Sequence, residues 1–170
     1  MIMKRIFPFV LITLGILLSF GALGQLYRDS RQNSAPTIDL PGQLAGLRIT
    51  DSKFGADAIA EFTNLHGKEF PVNSGAIGIY GNREITLWVA GAPSESIALE
   101  MTNAMQAKIA EGNSPFKVLG EINNHNRKVY ILEGMGQKHY YFQSRKLVIW
   151  LAGDPAFADE AFQQILEVYS

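Results

Sequence analysis

"RKVYILEGMGQKHYYFQSRKLVIWLAGDP" (Arg127–Pro155) holds three runs rich in β-branched and aromatic residues, cut by short polar connections. We read strands over Arg127–Glu133, Lys138–Gln143 and Lys146–Ala152, joined through Gly134–Gln137 and a two-residue turn at Ser144-Arg145. Connections this short join only antiparallel neighbours, because a parallel pair needs a crossover of about a dozen residues or more. The fold class follows from that constraint. Working outward, "PFKVLGEI" (Pro115–Ile122) is a fourth strand reached through "NNHN". A helix is expected from Pro155 to about Tyr169, with Asp154 as its N-cap.

Upstream, "AIGIY" (Ala76–Tyr80) and "EITLWVA" (Glu84–Ala90) form another hairpin through "GNR". A long helix to Glu111 follows, with Ile97, Met101, Ala104, Met105 and Ile109 on one face and Gly112 as its stop. "LAGLRIT" (Leu44–Thr50) reads as a strand. The helix after it is capped by Asp51 or Ser52, carries Ile59, Phe62, Leu65 and His66 at helical spacing, and stops at Gly67. The order β-α-β-β-α-β-β-β-β-α describes an α+β domain: a mostly antiparallel sheet with helices packed on one face.

Side-chain alternation assigns the faces. With the turns above, Val129, Ile131, Tyr140, Phe142, Leu147, Ile149 and Leu151 share one face with Ile85, Leu87 and Val89. Tyr130, Leu132, His139, Tyr141, Val148 and Trp150 share the other with Ile77, Ile79 and Trp88, and His139 falls directly opposite Trp150. The aliphatic face is the expected seat of the helices. The aromatic face is either a binding platform or is covered by another layer, such as the helix Phe54–His66 or a second copy of the chain.

Two segments echo each other at a spacing of 62 residues. "GIYGNREITLWVAGAP" (Gly78–Pro93) lies over "YYFQSRKLVIWLAGDP" (Tyr140–Pro155), matching Arg83 to Arg145 and Trp88 to Trp150. Ala-Gly-x-Pro is punctuation between a strand and its helix, since proline is tolerated in the first helical turn. The echo holds no nucleophile or ligand common to both copies, so it is not read as a catalytic motif. An internal ββα duplication and two independent ββα units both remain open readings. Ser94 substitutes for Ala92 as a helix cap in the first copy.

The first 27 residues decide the expected compartment. Lys4 and Arg5 precede an uncharged run from Ile6 to Gly24, whose 19 residues would span roughly 28 Å as a helix, close to a bilayer's hydrocarbon thickness. We read residues 1–27 as a signal anchor with its N-terminus in the cytoplasm. Residues 28–43 are then a flexible tether and 44–170 an extracytoplasmic domain, giving a single-pass membrane protein in contact with the bilayer through residues 6–24. The alternative is a signal peptide cleaved before Gln25, after Ala22-Leu23-Gly24, which would release the domain as a secreted protein. Gly15-x-x-x-Ser19 would let two such helices approach closely and form a homo-oligomer.

Composition narrows the chemistry. A net charge of -1 and a pI of about 6.3 supply no basic field to gather phosphates, so nucleic acid is not expected as a partner. Without cysteine there are no disulfides, thiolate metal sites or thiol nucleophiles. His66, His125 and His139 lack metal-ligand spacing, and no nucleophile-elbow, paired-carboxylate or phosphate-cradling pattern occurs. Neither a catalytic residue, a metal ligand nor a cofactor site is assigned, and an enzyme is the less favoured class. The expected function is noncatalytic binding or complex assembly through the aromatic face, carried by Trp88, Tyr130, His139, Tyr141 and Trp150, with a protein or a small molecule as partner. The competing readings are a small extracytoplasmic enzyme using His139 and Glu133 (or His125) in a tertiary cleft, and a structural subunit of a larger membrane complex. Glu133 and Lys138 are otherwise read as a cross-strand charge pair.

Overall fold

Eight strands and three helices make up the computed structural model, which describes residues 35–170 except 68 and 126. The strands are β1 (Gln43–Leu44), β2 (Leu47–Phe54), β3 (Ser74–Tyr80), β4 (Ile85–Gly91), β5 (Lys117–Asn124), β6 (Arg127–Gly134), β7 (Gln137–Ser144) and β8 (Leu147–Gly153). They form one sheet in the order β1-β2-β3-β4-β8-β7-β6-β5, and every neighbouring pair is antiparallel. The helices are α1 (Gly55–His66), α2 (Glu95–Ala110) and α3 (Ala158–Val168). This is an α+β fold.

Tight turns set the register. Met135 and Gly136 both have positive φ, at 53° and 77°, the backbone of a hairpin turn whose twist matches the strands it joins. Leu132 therefore faces His139 and Glu133 faces Lys138, as expected. The next hairpin differs from the sequence reading. Ser144 pairs with Leu147, so the turn is Arg145-Lys146, and Tyr141 rather than His139 lies opposite Trp150. The expected pairing is off by two positions, and a shift of two leaves every side chain on its assigned face.

The two faces hold the residues that alternation assigns to them. Ile85, Leu87, Val89, Val129, Tyr140, Phe142, Ile149 and Leu151 share a core with Phe162, Ile165 and Leu166 of α3. On the other face, Ala58 and Phe62 of α1 pack with Ile77, Trp88 and Ala90. Ile97, Met101, Met105 and Ile109 of α2 pack there with Val148, Tyr130, Leu132, Tyr141 and Trp150. The expectation of helices on one face is thus corrected: α3 covers the aliphatic face, while α1 and α2 cover the aromatic one. The two copies of the echo send their helices to opposite sides. Their connections differ in length by one residue, Ala92–Ser94 against Asp154–Phe157.

Three boundaries also move. Ala45 and Gly46, with φ of 45° and 79°, form a turn that splits the expected strand Leu44–Thr50 into β1 and β2. β2 then runs to Phe54, so neither Asp51 nor Ser52 caps α1, whose N-cap position has no side-chain hydrogen bond. Asp154 does not cap α3. Its carboxylate accepts from Ala156 N at 2.9 Å and its carbonyl from Phe157 N and Ala158 N, building a turn ahead of the helix. Ser94 does cap α2, accepting from Ile97 N.

The tether expected over 28–43 ends earlier than read. Ile38 and Leu40 pack against the aliphatic core, Tyr169 Oη donates to Asp39 O at 2.8 Å, and Tyr80 Oη donates to Pro41 O at 2.9 Å. Residues 35–170 form one compact unit holding the whole sheet and both cores, which is what a domain requires to fold alone. The transmembrane helix, the cleavage position and the Gly15-x-x-x-Ser19 contact fall outside the described residues. Among the described residues, no helix is long and apolar enough to cross a membrane.

Candidate functional site

Cross-strand pairing lines up four of the five residues singled out from sequence. Tyr130 lies opposite Tyr141, Tyr141 opposite Trp150, Trp150 opposite Trp88, and Trp88 opposite Ile77. This aromatic row crosses β6, β7, β8 and β4 on a single face. Tyr130 stacks on Tyr141 with centroids 4.6 Å apart, and Tyr141 on Trp150 at 5.0 Å, both nearly parallel. The echo's two tryptophans are thus direct partners at the centre of the sheet.

The row has a covered half and an open half. Tyr130 and Tyr141 are buried beneath Ile109, Met105 and Phe116, and burial pushes the Tyr141 phenol well above its ordinary pKa. Trp88 and Trp150 are only partly buried. α1 seats itself on β3, where Gly75 is required: a Cβ there would come within 2.8 Å of the Phe62 ring. α2 seats itself on β8 through small residues, Ala92 and Ala98 against Val148. Between the two helices lies a cavity of about 440 Å³, with Trp88, Ala90, Val148 and Trp150 on the sheet and Phe62, Met101 and Met105 from the helices in its wall. Leu65 and Met135, at 62% and 69% exposed, also line it and mark its mouth.

His139 completes the wall and is held in one protonation state. The Trp150 indole N–H donates to its Nδ1 at 3.1 Å, and its Nε2 donates to the Gly134 carbonyl, also at 3.1 Å. An indole N–H can only donate and a carbonyl can only accept, so the ring is the neutral tautomer with its proton on Nε2. Burial lowers its pKa, and the Gly134 carbonyl opposes that shift. Phe116 packs edge-on against the imidazole at 4.9 Å. Both ring nitrogens are engaged, leaving no lone pair for proton transfer.

The acid–base pairing of His139 with Glu133 does not form. Glu133 projects from the aliphatic side of β6 and lies within 3.4 Å of Lys117 Nζ, whereas His139 projects from the other side of the sheet. The Glu133–Lys138 charge pair is also corrected. The two are register partners, but Lys138 is drawn to Asp159 at 2.7 Å, where that carboxylate also accepts from Tyr140 Oη at 2.5 Å. His125 sits at the β5–β6 turn beside a separate recess of about 670 Å³ that Arg127, Ser144 and Arg145 also line. Two of those groups are committed there: Arg127 donates to the Leu166 and Tyr169 carbonyls, and Ser144 Oγ to Tyr169 O, closing the end of α3.

Comparisons with protein-family models, curated proteins and solved structures returned no match to this chain.

Of the five residues named from sequence, Trp88, His139 and Trp150 line the cavity, and Tyr130 and Tyr141 lie under α2 instead. Sequence reading missed Phe62, Leu65, Met101, Met105, Phe116 and Met135 as wall residues. The signal for some of them was present: Phe62 with Leu65, and Met101 with Met105, mark apolar faces on two helices, both of which turn out to meet the aromatic side of the sheet.

Proposed function

We propose that the chain is a noncatalytic binding module and that its site is the cavity between α1, α2 and the aromatic row. The observation that carries this reading is an apolar recess of about 440 Å³ on the aromatic face of the sheet, within the size range of small-molecule sites. The engaged nitrogens of His139 and the distance of Glu133 from the site favour binding over acid–base catalysis. The concave wall favours a small molecule over a flat protein surface. In this proposal residues 6–24 anchor the domain outside the cytoplasm, where it captures its ligand at the membrane surface.

The test is a thermal-shift screen of chemically diverse small molecules on residues 35–170, repeated on Ala90→Phe, which fills the cavity floor. A ligand at 100 times its Kd adds about 2.7 kcal/mol, so binders should raise Tm by several degrees in the parent domain and leave Ala90→Phe unmoved. Absence of any stabiliser, or stabilisers indifferent to Ala90→Phe, would contradict the reading.

A further inference from the structure

The ligand's charge can be inferred from the chemistry of the wall. Among the described residues, the sixteen that line the cavity include no Asp, Glu, Lys or Arg. The only titratable groups among them are His66 and His139. His139 cannot become a cation without losing the bond from Trp150, and His66 is exposed at the end of α1. An ionised group carried into this wall would lose its water and find no counter-charge among the described residues that line it.

The polar handles are an imidazole and an amide. His66 Nδ1 donates to Phe62 O at 2.9 Å. Gln137 brings an amide that can both donate and accept. Met101, Met105 and Met135 line the cavity as well, and their unbranched, polarisable side chains adapt to differing shapes. Such a wall is permissive about outline and strict about charge.

Resting on the binding reading above, we propose that the cavity takes an uncharged, mostly apolar small molecule with at most a neutral hydrogen-bonding head. Its body lies over Trp88, Ala90, Val148 and Trp150, and its head meets Gln137 and His66.

A matched pair of probes tests this. N-phenyl-1-naphthylamine and 8-anilino-1-naphthalenesulfonate share a ring system and differ by the sulfonate. Each is titrated into residues 35–170 at about pH 8 and followed by quenching of tryptophan emission. Trp88 and Trp150 are the chain's two tryptophans, so the signal reports from the cavity itself. The neutral probe should bind at least about tenfold more tightly than the sulfonate, and Ala90→Phe should lose that binding; Met101→Phe serves if Ala90→Phe does not fold. A sulfonate affinity within tenfold of the neutral probe, with both lost in the filled variant, overturns the charge class and leaves the binding reading standing. No quenching by either probe, or quenching that the filled variants retain, overturns both.

Discussion

The two faces of the sheet close in different ways. The aliphatic face is sealed by one helix and the incoming chain: Phe162 stacks on Tyr140 with centroids 4.0 Å apart, Gln164 Oε1 accepts from Ala45 N at 2.8 Å, and Tyr80 and Tyr169 fasten residues 39–41. The aromatic face has two helices and still leaves a gap. α1 is drawn to β3 by Gly75 and α2 to β8 by alanines, so each sits close to its own strands and neither fills the space over Ala90. Close packing of each helix on its own strands produces the opening between them.

Truncating one helix side chain on each face should separate the two most strongly. Phe162→Ala removes a side chain only 2% exposed and should cost about 3–5 kcal/mol in urea denaturation. Met105→Ala, whose side chain already borders empty space, should cost no more than about 2 kcal/mol, the low end for such truncations. Equal losses would mean that the aromatic face is packed as tightly as its opposite.

A smaller effect separates the two tryptophans. The Trp150 N–H is bonded to His139, whereas the Trp88 N–H is buried and finds no acceptor among the described residues. Trp150→Phe strands His139 Nδ1 and should cost about 1–3 kcal/mol beyond any packing change. Trp88→Phe removes an unsatisfied donor, so it should be the milder substitution by at least about 1 kcal/mol. The same bond makes Trp150→Ala a poor probe of binding, because it disturbs the fold as well as the cavity.

The smallest effect is on pH dependence. His139 is held neutral in the folded state with its pKa lowered by burial, so below its ordinary value of about 6.5 the unfolded chain binds the extra proton first. Its contribution should be fully present above about pH 6.5 and decline as pH falls through the folded pKa. His139→Phe should flatten that limb of the stability–pH curve. A parent curve already flat across that window would contradict the assigned tautomer.

Much of this geometry is legible in the sequence because hairpins fix parity. The aromatic row could be read without knowing the turn at Arg145-Lys146, since a slip of two keeps Tyr141 and Trp150 on one side. Helix placement could not be read that way. The apolar stripes of α2 and α3 look alike, and one residue in a connection accompanies their departure to opposite faces. The Ala45-Gly46 turn was hidden because alanine at φ 45° is an unusual choice for a hairpin. The cavity has no motif at all, because it is a volume left between two helices that each satisfy a different strand.

The contrast between the faces comes down to an apolar space over Trp88, Ala90, Val148 and Trp150 on one side and a filled core around Phe162 on the other. Xenon pressurisation of crystals of residues 35–170 tests it directly, since xenon enters dry apolar cavities. Xenon density is expected against Trp88, Ala90, Val148 and Trp150, and none within the core around Phe162. Helices α1 and α2 closed over those residues with no xenon between them would contradict it.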